Sequence, residues 1–286
     1  MESTLMSRPE PLPKRPMRKR RSRAADALRV AHWEQVAQEA IAREARNEAA
    51  NALRHAAEIE PHNVERWLQI SRWQREDSDI AAAQSTLQSA IAANTTEDAA
   101  ALSRLVTLWL ALAELQLQTQ DWEGCIASCR TVLEMQPREH FALEMLATTL
   151  LHQGDIPASM QVVEQLLRIS PRDPLHRMRF ATLLQVQGQI ADALREWETV
   201  LAMYPAAPFV AEAEEAIEML DRAQIHHVLL RAAEERTFAW ELQRDIETTL
   251  DDNNFYLSEG GMETLRQLIW DGRLDDTLRS DTPRLH

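Results

Sequence analysis

The sequence predicts an all-α protein: an α-solenoid of about five stacked helix pairs, closed by a C-terminal helical cap. Three observations lead there. Ala, Leu, Glu, Gln and Arg, which lose little side-chain freedom in a helix, dominate a 286-residue chain that only 6 glycines and 12 prolines interrupt. A pattern of large apolar and small residues recurs along it at a fixed interval, the signature of a repeat architecture. Each copy holds two helix-length segments that cannot bury their apolar sides alone and so must stack on neighbours.

The period is read from residue pairs. Trp33 and Trp67 are 34 apart, and Trp109, Leu143 and Arg177 follow one another at the same interval. Between Trp67 and Trp109 the interval is longer, by an eight-residue insertion. Pro61, Pro137, Pro171 and Pro205 close their copies, each at the same distance from the leading site, with Thr95 in that place in the second unit. Three residues after each start comes an apolar side chain (Val36, Ile70, Leu112, Leu146, Phe180), followed at once by a small one (Ala37, Ser71, Ala113, Ala147, Ala181). Twelve residues further on stands a second small site, filled by Ala49, Ala83, Cys125, Ser159 and Ala193. The second half of each copy adds Leu53, Leu87, Cys129, Val163 and Trp197, then Ala56, Ala90, Val132, Leu166 and Val200, on the same helix face as the second small site. Cys125 and Cys129, the two cysteines of the chain, both fall on that seam and read as small core residues instead of metal ligands. Trp33, Trp67 and Trp109 likewise read as core.

This pattern resembles the tetratricopeptide-repeat family over roughly Val30 to Pro205, where period, small pairs, leading aromatic and closing proline coincide. It departs from that family at Arg177, in place of a leading aromatic or leucine, and at Thr95, in place of proline. Units are expected to start near 30, 64, 106, 140 and 174 within an array spanning 27–206. Thr95-Thr96-Glu97-Asp98 looks like a helix start, so the insertion is expected to lengthen the first helix of the third unit. Gln153-Gly154-Asp155 and Gln187-Gly188-Gln189 supply the glycine that ends a helix.

Beyond Pro205 and Pro208, Val210, Ala213, Ile217 and Leu220 recur at helical spacing, as expected of a helix capping the last repeat. Two further stripes, Phe238, Leu242, Ile246, Leu250 and Met262, Leu265, Leu268, Ile269, suggest a small helical element over about Thr237 to Trp270. The cap is therefore placed at 207–275 and a tail at 276–286.

Charge divides the chain unevenly. Met1 to Arg23 carries Arg8, Lys14, Arg15, Arg18, Lys19, Arg20, Arg21 and Arg23 against Glu2 and Glu10, a balance of +6, so a net charge of −14 leaves −20 for the remainder. Residues 1–26 are read as a disordered basic leader, and an acidic body argues against nucleic-acid binding by the repeats. The leader itself offers an alternative contact, for nucleic acid or an anionic membrane. No secretory signal is visible, and the longest apolar run, Leu105 to Leu115, is too short to cross a bilayer, so a cytoplasmic location is expected.

No phosphate-binding loop, zinc-protease helix or hydrolase elbow is present. His226 and His227 are adjacent, so on a helix they point about 100° apart and chelate poorly. The sequence thus predicts no enzyme, no cofactor and no metal. What the family resemblance implies is a right-handed superhelix whose concave wall, made by the first helix of each unit, binds peptides or helices of other proteins. Carried across, the groove positions are Glu34, Gln38, Leu68, Arg72, Leu110, Glu114, Glu144, Thr148, Met178 and Thr182, with Arg75, Phe141, Leu151, His152 and Gln185 on neighbouring turns. Family members that clamp a C-terminal carboxylate place Lys, Asn and Arg there, and the acids and apolar residues found here argue against that clamp. They suit an amphipathic partner with basic flanks, unless the C-terminal helices cover them, and the chain's own leader could occupy the groove until displaced.

Overall fold

The computed structural model describes the backbone of residues 18–94 and 99–270, with side chains from residue 23. The leader up to Met17, Thr95–Asp98 and the tail from residue 271 lie outside the described residues. The chain divides into two compact units, Met1–Pro137 and Arg138–His286. In the first, three helix pairs follow one another: α1 (Arg18–Ala42) with α2 (Arg46–Ile59), α3 (Val64–Glu76) with α4 (Ile80–Ala93), and α5 (Ala99–Gln118) with α6 (Trp122–Met135). The second holds two pairs, α7 (His140–His152) with α8 (Ile156–Ile169) and α9 (Pro174–Val186) with α10 (Ile190–Met203). Four more helices complete it: α11 (Val210–Glu234), α12 (Arg236–Arg244), α13 (Ile246–Asp252) and α14 (Glu259–Trp270).

All ten small sites of the repeat are buried. Within a pair the first and second small sites meet: Ser159 Oγ donates to the Ala147 carbonyl at 2.8 Å, and Ser71 Oγ lies 3.5 Å from the Ala83 carbonyl. Side chains no larger than a hydroxymethyl or thiol let the two backbones approach this closely. Larger residues then fill the flanks. In the first unit Trp67, Leu87, Leu108, Leu112 and Leu115 form one core with Ala57, Ala83 and Ala90. In the second, Ala181, Leu184, Ala193, Leu194, Trp197 and Val200 pack with Ala213 and Leu220 of α11. Cys125 and Cys129 are buried on α6, as their place in the seam requires.

The turn inside each pair is three residues long, and its middle residue is left-handed in all five pairs: Glu44, Ser78, Gln120, Gly154 and Gly188, with φ between 58° and 79°. Glycine does this without penalty, whereas the other three crowd a Cβ against the backbone. The reward is a closed helix end. Asp79, Asp121 and Asp155 each donate their backbone N–H to the carbonyl five residues back, and the carboxylate of each accepts an N–H from the next helix, at Ala82, Gly124 and Ala158. One aspartate thus ends one helix and starts the next.

One boundary differs from the sequence reading, and one expected lengthening is found. Helix α1 begins at Arg18, inside the stretch read as leader, because after Pro16 the chain has no helix breaker and Arg18–Ala25 are good helix formers. Helix α5 has 20 residues where α3, α7 and α9 have 13, which is where the inserted residues go. At a mean hydropathy of 1.3 it is long and apolar enough to cross a membrane, contrary to the estimate from its apolar run alone. Its apolar side chains are instead used within the unit, where Leu105, Leu108, Leu112 and Leu115 are buried and the helix packs on α3, α4 and α6.

The cap is docked through α11 on α10, and α12 and α14 pack on α11 around Phe238, Leu242, Leu250, Leu257 and Leu265. Buried Asp221 of α11 accepts the Ser258 backbone N–H at 2.9 Å and its hydroxyl, while Ser258 Oγ receives the Gly261 N–H at 3.1 Å. A Cβ at Gly261 would meet the Asp221 carboxyl, so glycine is what brings α14 this close.

The left-handed turns make a stability prediction. Space around Gly154 is open, so Gly154→Ala introduces no clash and isolates the backbone term, expected to cost about 1 kcal/mol. Gln120→Gly should act in the opposite sense by up to about 1 kcal/mol. Urea unfolding of the two variants checks this, and equal midpoints for Gly154→Ala and the parent would contradict the turn geometry.

Candidate functional site

The first helix of each pair carries the positions expected to form a binding face. In the first unit those positions are largely engaged with one another. Arg66, at the start of α3, is buried and donates to Glu34 of α1 from Nη2 at 2.7 Å and Nε at 3.1 Å, and its Nη2 also reaches Glu60 at 3.0 Å. Arg75 of α3 donates to Glu114 of α5 at 3.2 Å, and Gln118 reaches the same oxygen. Two acids expected to meet a basic partner are therefore already paired with arginines of the neighbouring repeat. Leu68 and Leu110 are half-buried, while Gln38 and Arg72 are exposed.

In the second unit the same face mixes exposed apolar side chains with polar ones. Phe141 is 44% exposed, and Glu144, Thr148, Leu151 and His152 follow it within an arc of roughly 100° on α7. Thr148 turns its hydroxyl back to the Glu144 carbonyl at 2.9 Å. On α9 the expected positions fare differently. Thr182 is exposed and Gln185 half-buried, but Met178 is only 8% exposed and belongs to the core with Ala181 and Trp197. It occupies the position that Glu144 holds one repeat earlier; a carboxylate must stay near water there, whereas a flexible thioether folds inward. The exposed apolar residues of α9 are instead Leu175 at 64% and Val186 at 59%.

No family model and no curated protein matches the sequence. Solved structures do. The crystal structure of MamA protein is 12% identical at a TM-score of 0.50, covering 62% of this chain and 92% of that one. A tetratricopeptide repeat protein from Parabacteroides merdae is 14% identical at a TM-score of 0.54, covering 84% of this chain and 98% of that one. The chain has the tetratricopeptide-repeat fold.

Within that fold, the departure at Arg177 preserves a bond. Trp67 Nε1 donates to the Pro61 carbonyl at 3.2 Å, and Arg177 Nε donates to the Pro171 carbonyl at the same distance, six residues back in both repeats. The guanidinium takes over the indole's role and adds a 2.6 Å ion pair with Glu196. Leu175 could have been found from the tetratricopeptide register, since it stands one full repeat after Phe141, and Val186 stands in the same relation to His152. Arg66 gave no such signal, because its importance lies in a contact with Glu34 of the preceding repeat.

A second feature went unread in the sequence. At the N-terminal ends of α7 and α9, His140 and His176 bring their Nε2 atoms to 2.8 Å, with Glu144 and Asp173 beside them. Burial, at 2% exposure, holds the pKa of His176 below its ordinary value, against the raising influence of Asp173 and Glu144. The adjacent pair the sequence singled out does not converge: His226 and His227 are exposed, with ring centroids 6.4 Å apart. The basic positions Arg18, Lys19, Arg20 and Arg21 lie on α1, Arg23 is exposed, and Lys14 and Arg15 fall outside the described residues.

Because Arg66 is buried while its two acids are half-exposed, Arg66→Ala should cost about 1–2 kcal/mol, and Glu34→Gln less than about 1 kcal/mol. Chemical unfolding measures both, and an equal cost for the two would contradict a pair anchored on the arginine.

Proposed function

We propose that this chain is a non-enzymatic scaffold that binds other proteins, and that its second unit receives an apolar helix or extended segment along the exposed faces of α7 and α9. One observation carries the reading: Phe141, Leu151, Leu175 and Val186 are large apolar side chains left exposed on the first helices of two successive repeats. Single exposed apolar residues are ordinary on a protein surface, but Phe141 and Leu175 hold the same place in successive repeats, and a cluster of such residues marks an interaction face. At the positions matching Phe141, Leu151 and Val186, α3 holds Glu65, Arg75 and Glu76 and α5 holds Thr107, Leu117 and Gln118, while α1 exposes Ile41 at the Leu151 position, so what is particular to the second unit is a large apolar residue at the Phe141 and Leu175 position and at Val186. The cap supports the reading as well, since it docks through α11 on α10, the second helix of its pair.

A partner fitting this face presents apolar residues at helical spacing, with the leucine and phenylalanine as anchors. Affinity capture from native extract, comparing the parent with a Phe141→Glu, Leu175→Glu variant of unchanged helicity and melting, tests it. Protein partners retained by the parent and lost from the variant are expected. An identical set of partners from both would remove α7 and α9 as the binding face.

A further inference from the structure

We propose that His140 and His176, with Asp173 and Glu144, form a binding site for a first-row divalent cation, Zn²⁺ in particular, that ties α7 to α9. The donor set suits such an ion: two imidazoles and two carboxylates are the nitrogen and oxygen ligands of borderline cations. Four ligands at zinc bond lengths of about 2.0–2.1 Å in a tetrahedron stand about 3.3 Å apart. His140, Asp173 and His176 converge, with ligand atoms within 4.8 Å of one another, Glu144 stands beside the two imidazoles, and four of the six edges bracket that spacing. His140 Nε2 and His176 Nε2 are 2.8 Å apart, His176 Nε2 and Asp173 Oδ2 are 3.6 Å apart, and Glu144 Oε1 lies 3.7 Å from His140 Nε2 and 3.9 Å from His176 Nε2. A small rotation of the half-buried His140 ring opens the short edge.

The local structure prepares the ligands. Asp173 caps α9 through Oδ1, which accepts the Leu175 and His176 N–H groups, and so its Oδ2 is left turned toward the imidazoles. His176 is held in place by burial. Opposing the cation are the positive ends of two helices and Arg179, whose charge is felt at His176. Asp173 and Glu144 supply two negative charges against them, and the added ion leaves the cluster close to neutral. Without a cation the contact between the two rings is an N–H···N bond in which one Nε2 carries a proton; with it, both Nε2 atoms present lone pairs and that ring carries its proton on Nδ1 instead.

The site is independent of the protein-binding face, although it shares Glu144 with it. Its effect would be to clamp the first helices of two successive repeats, stabilising the second unit by mass action. The full-length protein, stripped of metal, is titrated with Zn²⁺ against a chromophoric chelator, and with Co²⁺ to read the visible bands of a low-coordinate site. One equivalent is expected, with a raised melting temperature and ring ¹⁵N shifts of both histidines moving to the metal-bound range. His140→Gln should weaken binding by more than about tenfold, as loss of a direct ligand must exceed loss of an outer-shell one. Glu144→Gln, on a half-exposed side chain, repeats the test should the first variant be unstable, and His226→Ala, His227→Ala should change nothing. No stoichiometric uptake by the parent, or uptake unaltered by the His140 or Glu144 substitution, would overturn the proposal.

Discussion

The contact on which the rest of this structure depends is the meeting of two small side chains, twelve residues apart, inside each helix pair. With Ala, Ser or Cys at both places the helices approach until a serine hydroxyl on one reaches a backbone carbonyl on the other, as Ser159 does with Ala147. Everything else is arranged around that distance. The three-residue turn, closed by a left-handed residue, is short enough only because the helices it joins are close. Large side chains are displaced to the outer edges of the seam, where Trp67, Leu87, Leu112 and Trp197 bridge to the next pair.

This explains what was legible in the sequence. Helix pairing, the buried seam of Cys125 and Cys129, the lengthened α5 and a capping helix after Pro208 all follow from spacing, because a helix converts spacing along the chain directly into a face. Three kinds of feature were not legible. The left-handed turns at Glu44, Ser78 and Gln120 carry no glycine, so tertiary packing holds a conformation their side chains do not favour. The Arg66–Glu34 pair and the His140–His176 cluster join residues 32 and 36 positions apart, a distance at which only the stacking of repeats brings side chains together. And the exposure of a repeat position depends on the residue in it: Glu144 stays near the surface, while Met178, its counterpart, turns into the core.

The two units use one backbone design for different surfaces. In the first, the wall of first helices is knitted together by ion pairs between successive repeats, which takes up side chains expected to meet a partner. In the second, the wall is held by packing and by the histidine cluster, and its outer positions include the exposed apolar residues Phe141, Leu151, Leu175 and Val186. A protein-binding role for that second wall, and a cation holding its two helices at their N-terminal ends, are compatible readings of one arrangement, because rigid spacing of α7 and α9 would lower the entropic cost of docking a partner across them.

If close approach at the small sites determines the fold, enlarging one of them must destabilise the protein. Ala113 of α5 is fully buried against α6, whereas Ala127 on α6 itself is exposed. Chemical unfolding of Ala113→Leu and Ala127→Leu compares an isobutyl group in the seam with the same group on the surface. A loss of about 1–3 kcal/mol or more is expected for the first, with the surface variant within about 0.5 kcal/mol of the parent. Equal stability of the two variants would show that the helices have room to spare and that the small sites do not set their spacing.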